Sequence, residues 1–317
     1  MELRNIGIIG VGNIGGELER EVISLGWNVE LSIGSKGDYL HHKRLIKSLD
    51  GIFLAIPTLD EGEVARDYIQ STLDLEIPIV TCEKGALSNY YSEFKKDIDN
   101  GRIGCSASVG GGSGILSYLR EMSGPGVNEV HCVLNGTLNY IFDSVSKRMS
   151  IEEAVKSAVD KGYCEPGGTS VLDVINQEVL GDIPMKTAIL INYCNFSNEV
   201  IEARNILTRS VSRSSLDKLL RESSKIRHIV SFRRDWKNEN VVSGFEYRFE
   251  DWYVSAGFKD VESDDSYKNL LLEGVDNGLV ICKLNGENYY LSDQGAGAKK
   301  TVGVMIKDAD KVFLKKK

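Results

Sequence analysis

Much that would classify this chain of 317 residues is missing from it. No apolar run approaches the ~18 residues that a spanning helix needs, since the longest, GIFLAIP from residue 51 and TAILIN from residue 187, are far shorter. No membrane partner is expected. Basic charge is not in excess: 38 Lys and Arg face 46 Asp and Glu, giving a net charge of -8 and a pI near 5.3. Such a surface repels polyanions on average, which argues against a nucleic-acid partner. CxxC pairs are absent, and the six cysteines, at 82, 105, 132, 164, 194 and 282, stand far apart. Neither a zinc site nor a disulfide framework is suggested, and the thiols read as buried small hydrophobes. The N-terminus has no charged leader with an apolar stretch and cleavage site, so a cytoplasmic location is expected. There is also no internal repeat and no low-complexity segment.

What remains is the composition of an ordinary globular protein, 42% hydrophobic and 26% charged. The length exceeds what one hydrophobic core usually organises, so two lobes are expected. The first half alternates short apolar runs with amphipathic stretches: NIGIIG, IGGELEREVISLG, WNVELSI, GIFLAI, IPIVTC. This βαβ series predicts a parallel sheet covered on both faces. From about Val127 the texture changes. Helical stretches such as IEEAVKSAVDKG, EVLGDIPMKTAILINYC and SSLDKLLRESSKIRHIV precede the alternating runs VVSGFEYRF, WYVSAGF, GLVICKL and NYYLS. Those runs read as antiparallel strands with turns at Asp276-Asn277-Gly278 and Leu284-Asn285-Gly286. The fold class is α/β with a second α+β lobe, bounded as 1–134 plus 292–317 and 135–291.

Gly10, Gly12 and Gly15, with Asn13 and Ile14 between them, form GxGxxG after a strand pattern and before a helix pattern. The plain reading is a tight turn without a ligand. The strand-turn-helix setting favours a Rossmann dinucleotide site, with helix N–H groups facing a pyrophosphate. Cofactor choice rests on the end of the next strand, LSIGSKGD. Ser35 and Lys36 occupy its turn and Asp38 lies too far along to grip ribose hydroxyls, which tilts the reading from NAD to NADP; Lys43 and Arg44 are nearby. Pro57 and Thr58, in AIPT, fall at the carboxyl edge of a strand, where they would line the nicotinamide.

Two central stretches carry the substrate chemistry: VLNGTLNYIFD at 133–143, and KGYCEP followed by GDIPMK between Lys161 and Lys186. Spacing alone makes Asp182 a helix N-cap before Pro184, and pairs it with Lys186 in an i,i+4 surface bridge worth about 0.2–0.5 kcal/mol. Tyr163 and Glu165 alone read as a solvated loop. In this order, however, the stretches resemble the homoserine dehydrogenase family, whose pattern is LNGTTNY, GYxE, then an Asp four residues before a Lys. The likeness extends to TCEKGALS (81–88), with Lys84 at the family lysine and Glu83 where asparagine is usual. It includes CSASVGGGSG (105–114), with Ser108 beside the cofactor. It reaches DQGAGAKKTVGVMIKD (293–308), where Gly295, Ala296 and Gly297 lead a helix toward the cofactor, with Lys299 and Lys300 as phosphate contacts.

The resemblance implies an NAD(P)-dependent enzyme interconverting homoserine and aspartate 4-semialdehyde. In that reading Glu165 and Asp182 hold the amino and hydroxyl ends, while Thr137 and Tyr163 orient the ligand. Lys186 moves the proton, with a lowered pKa to which Lys84 would contribute as a neighbouring cation. The family's monovalent-cation turn has Ser106 in place of its usual glutamate, so no metal ligand is assigned. The segment from Glu165 to Asp182 is longer than in many relatives and lacks their EPDP or EADP, leaving Asp173 as candidate for a second substrate aspartate, with Gln177 at the ungapped position. A homodimer through the sheet of the second lobe is implied, and no ACT-like regulatory module. Two alternatives stay open: a related Rossmann oxidoreductase for another amino-acid-derived alcohol or amine, and a non-catalytic NADP-binding protein.

Overall fold

The computed structural model describes residues 4–34, 42–164, 168, 170–235, 242–249 and 251–313. The chain forms two compact units, residues 1–114 with 297–317, and residues 115–296. In the first, β1 (Asn5–Ile9), β2 (Asn28–Ile33), β3 (Gly51–Leu54), β4 (Ile79–Thr81) and β5 (Ile103–Gly104) form a parallel sheet in the order β2-β1-β3-β4-β5. β3 and β4 are buried along their whole length, which is why GIFL and IVT are continuous rather than alternating apolar runs. The order reverses between β1 and β3, and their carboxyl ends therefore mark the switch point where open α/β sheets take ligands. The helix Ala298–Val312 closes this unit's core: Val302, Met305, Ala309, Val312 and Phe313 pack with Ile6, Ile8, Leu18, Trp27 and Phe53. Asp308 fastens it, accepting 2.7 Å from the Ser106 amide.

In the second unit, β6 (Val127–Val133), β7 (Ile226–Arg233), β8 (Val242–Phe249), β9 (Trp252–Asp260), β10 (Asp276–Lys283) and β11 (Asn288–Gln294) form an antiparallel sheet in the order β11-β10-β6-β7-β9-β8. The helices Gly136–Ser146, Ile151–Asp160 and Val171–Gln177 bring Leu138, Phe142, Ala154, Ala158, Val174 and Ile175 into one core with Ile226 and Phe258 of the sheet. The chain leaves the first unit after Gly114, earlier than the expected boundary at 134, because β6 pairs with β7 and β10 in the middle of the second sheet. Among the described residues no helix is long and apolar enough to cross a membrane.

One expected turn is not a turn. Asn285-Gly286 does close the β10–β11 hairpin, with Gly286 at φ 84 and the Lys283 amide donating to Glu287 at 2.8 Å. Asn277-Gly278, by contrast, lies inside β10: Asn277 pairs with Asp293 and Gly278 with Ser292. The reason is packing. Asn277 turns inward and is almost fully buried, and a Cβ on Gly278 would stand 2.7 Å from the Leu272 side chain.

Candidate active site

The glycine turn is built as its spacing requires. Gly10 has φ 102, a conformation open to glycine, and any Cβ there would collide with the Ala55 carbonyl beyond β3. A Cβ on Gly15 would overlap the Gly10 carbonyl oxygen, so this glycine lets the helix Asn13–Ser24 start against the strand. Gly12 differs: nothing lies within 4 Å of where its Cβ would be. It is the N-cap of that helix, with no side-chain cap bond and no acid in the first turn. The helix thus starts at a glycine with open space at its Cβ position and no acid in its first turn, which fits a pyrophosphate at its N-terminus. Ser35 and Lys36, expected to choose between NADP and NAD, lie outside the described residues.

Beyond β3, Pro57 is exposed and Thr58 half-buried. Thr58 Oγ1 donates at 2.7 Å to Glu83, which also accepts from the amides of Gly85 and Ala86 at 2.6 and 2.8 Å. Glu83 thus gathers the start of the helix Gly85–Asn89. Burial pushes its carboxyl up from the ordinary value, against the pull of these donors and of the adjacent Lys84. Lys84 itself is half-buried at the N-cap of that helix. Ser108 is buried, its hydroxyl donating to the Cys105 carbonyl at 2.7 Å. Gly297, at φ 123, begins the C-terminal helix with open space at its Cβ position.

The second unit holds the densest polar cluster of the motifs. β6 ends at Val133, and Asn135 caps the helix Gly136–Ser146, its Oδ1 accepting from the Leu138 amide at 2.7 Å. The same side chain donates through Nδ2 to Glu178 Oε2 at 2.6 Å and to Asp182 Oδ2 at 2.7 Å. Only an amide caps a helix and also donates to two carboxylates; Ser, Thr or Asp would lose one function. Lys186 Nζ reaches Asp182 Oδ2 at 2.7 Å and the Leu134 carbonyl at 2.8 Å. The Asp182–Lys186 pair is therefore no surface bridge, with side chains only 8% and 15% exposed.

Asp182 is not the extended N-cap expected before Pro184. Its backbone is helical, at φ -64 and ψ -45, and makes no cap bond. Helix runs from Val171 to Tyr193 through a wide π turn at Glu178–Asp182. Pro184 lacks the N–H that an uninterrupted α-helix would use here, and it stands two residues beyond the end of that turn. Such turns often accompany functional side chains, and this one carries both acids.

Thr137 and Tyr163 meet: the Thr137 hydroxyl donates to the Tyr163 carbonyl at 2.6 Å, and the Tyr163 ring stacks edge-on with Tyr140. Thr137 therefore holds the backbone that leads to Glu165, which lies outside the described residues. Asp173 is exposed in the first turn of its helix, where Ser170 caps its amide. The second acid in the cluster is Glu178, which the sequence reading missed. The available signal was a four-residue recurrence, Glu178, Asp182, Lys186. Cys164, the residue after Tyr163, is pushed up to about 11 by burial and then by the Glu178 carboxylate.

One unit carries a parallel sheet with a glycine turn at its switch point, and the other a lysine among buried carboxylates; these are the parts that NAD(P)-dependent oxidoreductases acting on a CH-OH group use. The sequence pattern of homoserine dehydrogenase matches residues 115–309. The chain belongs to the homoserine dehydrogenase family. It is 27% identical to the homoserine dehydrogenase of Sulfurisphaera tokodaii over 49% of this chain, spanning about half (52%) of that relative. With the Pyrococcus horikoshii enzyme it shares 24% identity over 83% of this chain and 72% of the relative. In fold it is similar to a putative homoserine dehydrogenase from Archaeoglobus fulgidus, with TM-score 0.69 and 19% identity over 98% of this chain and 99% of that one. A hyperthermophilic archaeal homoserine dehydrogenase in complex with NADPH aligns with TM-score 0.66 and 19% identity, over 99% and 98% of the two chains.

Proposed function

We propose that this protein interconverts L-homoserine and L-aspartate 4-semialdehyde with NADP(H), in the route to threonine and methionine. The observation that carries the reading is the Asn135 amide joining Glu178 and Asp182 next to Lys186. Two carboxylates and one ammonium suit a small ligand that brings a cation and an alcohol. Asp182 and the Leu134 carbonyl take two N–H groups of Lys186. The third passes its proton to the aldehyde oxygen in reduction, and the amine recovers one from the alcohol in oxidation. Asp182 keeps the ammonium in place, and Glu178, with Glu165, receives the substrate amino group. Thr137 and Tyr163 orient the ligand, and Asp173, exposed on its helix, makes no contact with it.

When bound, the nicotinamide accepts or returns the hydride. Gly10, Gly12 and Gly15 with Asn13 and Ile14 would admit its pyrophosphate, Pro57, Thr58, Ser108 and Gly297 would line the dinucleotide, and Ser35 and Lys36 would take a 2′-phosphate. NADPH is named with one structural relative and NAD(+) with a Pseudomonas canavaninivorans relative, so both cofactors belong in the test. A homodimer in the cytoplasm is part of the proposal. The deciding experiment follows absorbance of reduced nicotinamide after adding homoserine with NADP, then NAD, at mildly alkaline pH. Homoserine-dependent reduction supports the reading; nucleotide binding without turnover refutes it.

A further inference from the structure

We infer that Asn277 is a positioning residue for Lys186, acting through a carbonyl that the two share. The inference rests on the function proposed above. The Leu134 carbonyl oxygen accepts from Lys186 Nζ at 2.8 Å and from Asn277 Nδ2 at 3.0 Å. A carbonyl has two lone pairs, so the two donors together fix its direction. Without Asn277 the peptide between Leu134 and Asn135 would be held by Lys186 alone, and a flexible four-carbon side chain would be anchoring its own anchor. That peptide also leads into Asn135, whose amide spans the two acids.

The surroundings of Asn277 show how far the fold is shaped to keep this bond. Asn277 is 1% exposed, and its Oδ1 has no hydrogen-bond partner among the described residues. An orphaned buried acceptor is costly. The reversed amide would set oxygen against the Leu134 oxygen, so the orientation follows from the carbonyl it serves. Two glycines make the room. A Cβ on Gly295 would collide with the Asn277 amide, and a Cβ on Gly136 would stand 3.4 Å from its Oδ1 and 2.7 Å from the Val275 carbonyl. Gly136 belongs to the NGT motif and Gly295 to the GAG motif, so at these two positions the motifs admit Asn277 rather than a ligand. Asn139 and Asp143, from the same helix, bind the carbonyl and amide of Gly274 at 2.9 and 2.8 Å and so fix the entry to β10.

The test compares wild type, Asn277→Ala and Asn277→Ser in steady-state homoserine oxidation. The expected result is a kcat reduced by about ten- to a hundredfold in Asn277→Ala, the scale of a small misplacement of a reacting group. KM for homoserine and Kd for NADP stay within about twofold, as for an interaction felt only in the transition state. Asn277→Ser, which restores a donor, recovers part of the lost kcat. An unchanged kcat overturns the inference, as does a fall of kcat, affinity and melting temperature together. If wild type does not turn over homoserine, the functional reading fails on its own. A crystal structure of Asn277→Ala then decides the inference separately: loss of the Lys186–Leu134 bond supports it, and its retention overturns it.

Discussion

Lowering the pH should destabilise this protein in part through the buried imidazole of His228, and the size of that part follows from where the residue sits. It is 4% exposed, edge-on to Phe258 at 5.0 Å between ring centres, and neither ring nitrogen has a hydrogen-bond partner among the described residues. Burial, reinforced by the charge of Lys259, pushes its pKa from 6.5 down to about 3. A depressed histidine contributes its full stability above 6.5 and loses it as pH falls toward 3, because the unfolded chain takes up a proton that the folded chain refuses. At pH 5, about 1.5 pH units below the ordinary value, the loss is about 2 kcal/mol at ~1.36 kcal/mol per unit. That is a large part of the ~5–15 kcal/mol margin of a folded protein. The perturbation is His228→Leu, which keeps an apolar body of similar size and removes the proton site. Urea unfolding at pH 7.5 and pH 5 reads it: wild type should lose about 2 kcal/mol more than the variant between the two conditions. Parallel losses would refute the reasoning. His131, lowered to about 4, chiefly by burial, remains in both proteins and adds the same slope to each.

Other outcomes follow from the site. Lys186→Ala should lower kcat by about a hundredfold or more while NADP affinity is nearly kept; a near-normal rate in the absorbance assay removes the lysine from the mechanism. Glu178→Gln should raise the KM for homoserine about tenfold or more, as expected for the loss of a charged hydrogen-bond partner, whereas Asp173→Asn should change it little; equal effects would deny Glu178 its place. Gly15→Ala should cost about 3 kcal/mol or more, since backbone cannot move away from the new methyl. Gly12→Val should leave the melting temperature nearly unchanged and abolish tight NADP binding by calorimetry, and retained binding would remove this turn from the cofactor site.

The parallel-sheet unit was legible because its demands are local: a strand, a turn needing glycine at Gly10 and Gly15, then a helix, all within a few residues. Lys186 and Asp182 were legible for the same reason, four residues apart on one helix. Features that depend on distant partners were not. Nothing in VNEVHCV states which sheet β6 joins, and Asn277-Gly278 has the letters of a turn until its partner, the Leu134 carbonyl, is known. Asp173 was chosen for its chemistry, yet in the first turn after Ser170 it lies on the exposed side of a helix whose Val174 and Ile175 are in the core. Glu178 was hidden because its place beside Asp182 depends on the Asn135 amide, which comes from a distant segment.

The π turn at Glu178–Asp182 works as a phase shifter. Each residue of an α-helix advances the side chains by ~100°, so one surplus residue rotates everything beyond it relative to what came before. Glu178 and Asp182 stand at the two ends of the seam, where two helical phases meet around one amide. Excising Gly181 would bring the two phases back into step and swing one acid out of reach of Asn135. In this protein chain length, as much as side-chain chemistry, determines whether both carboxylates meet at the same nitrogen.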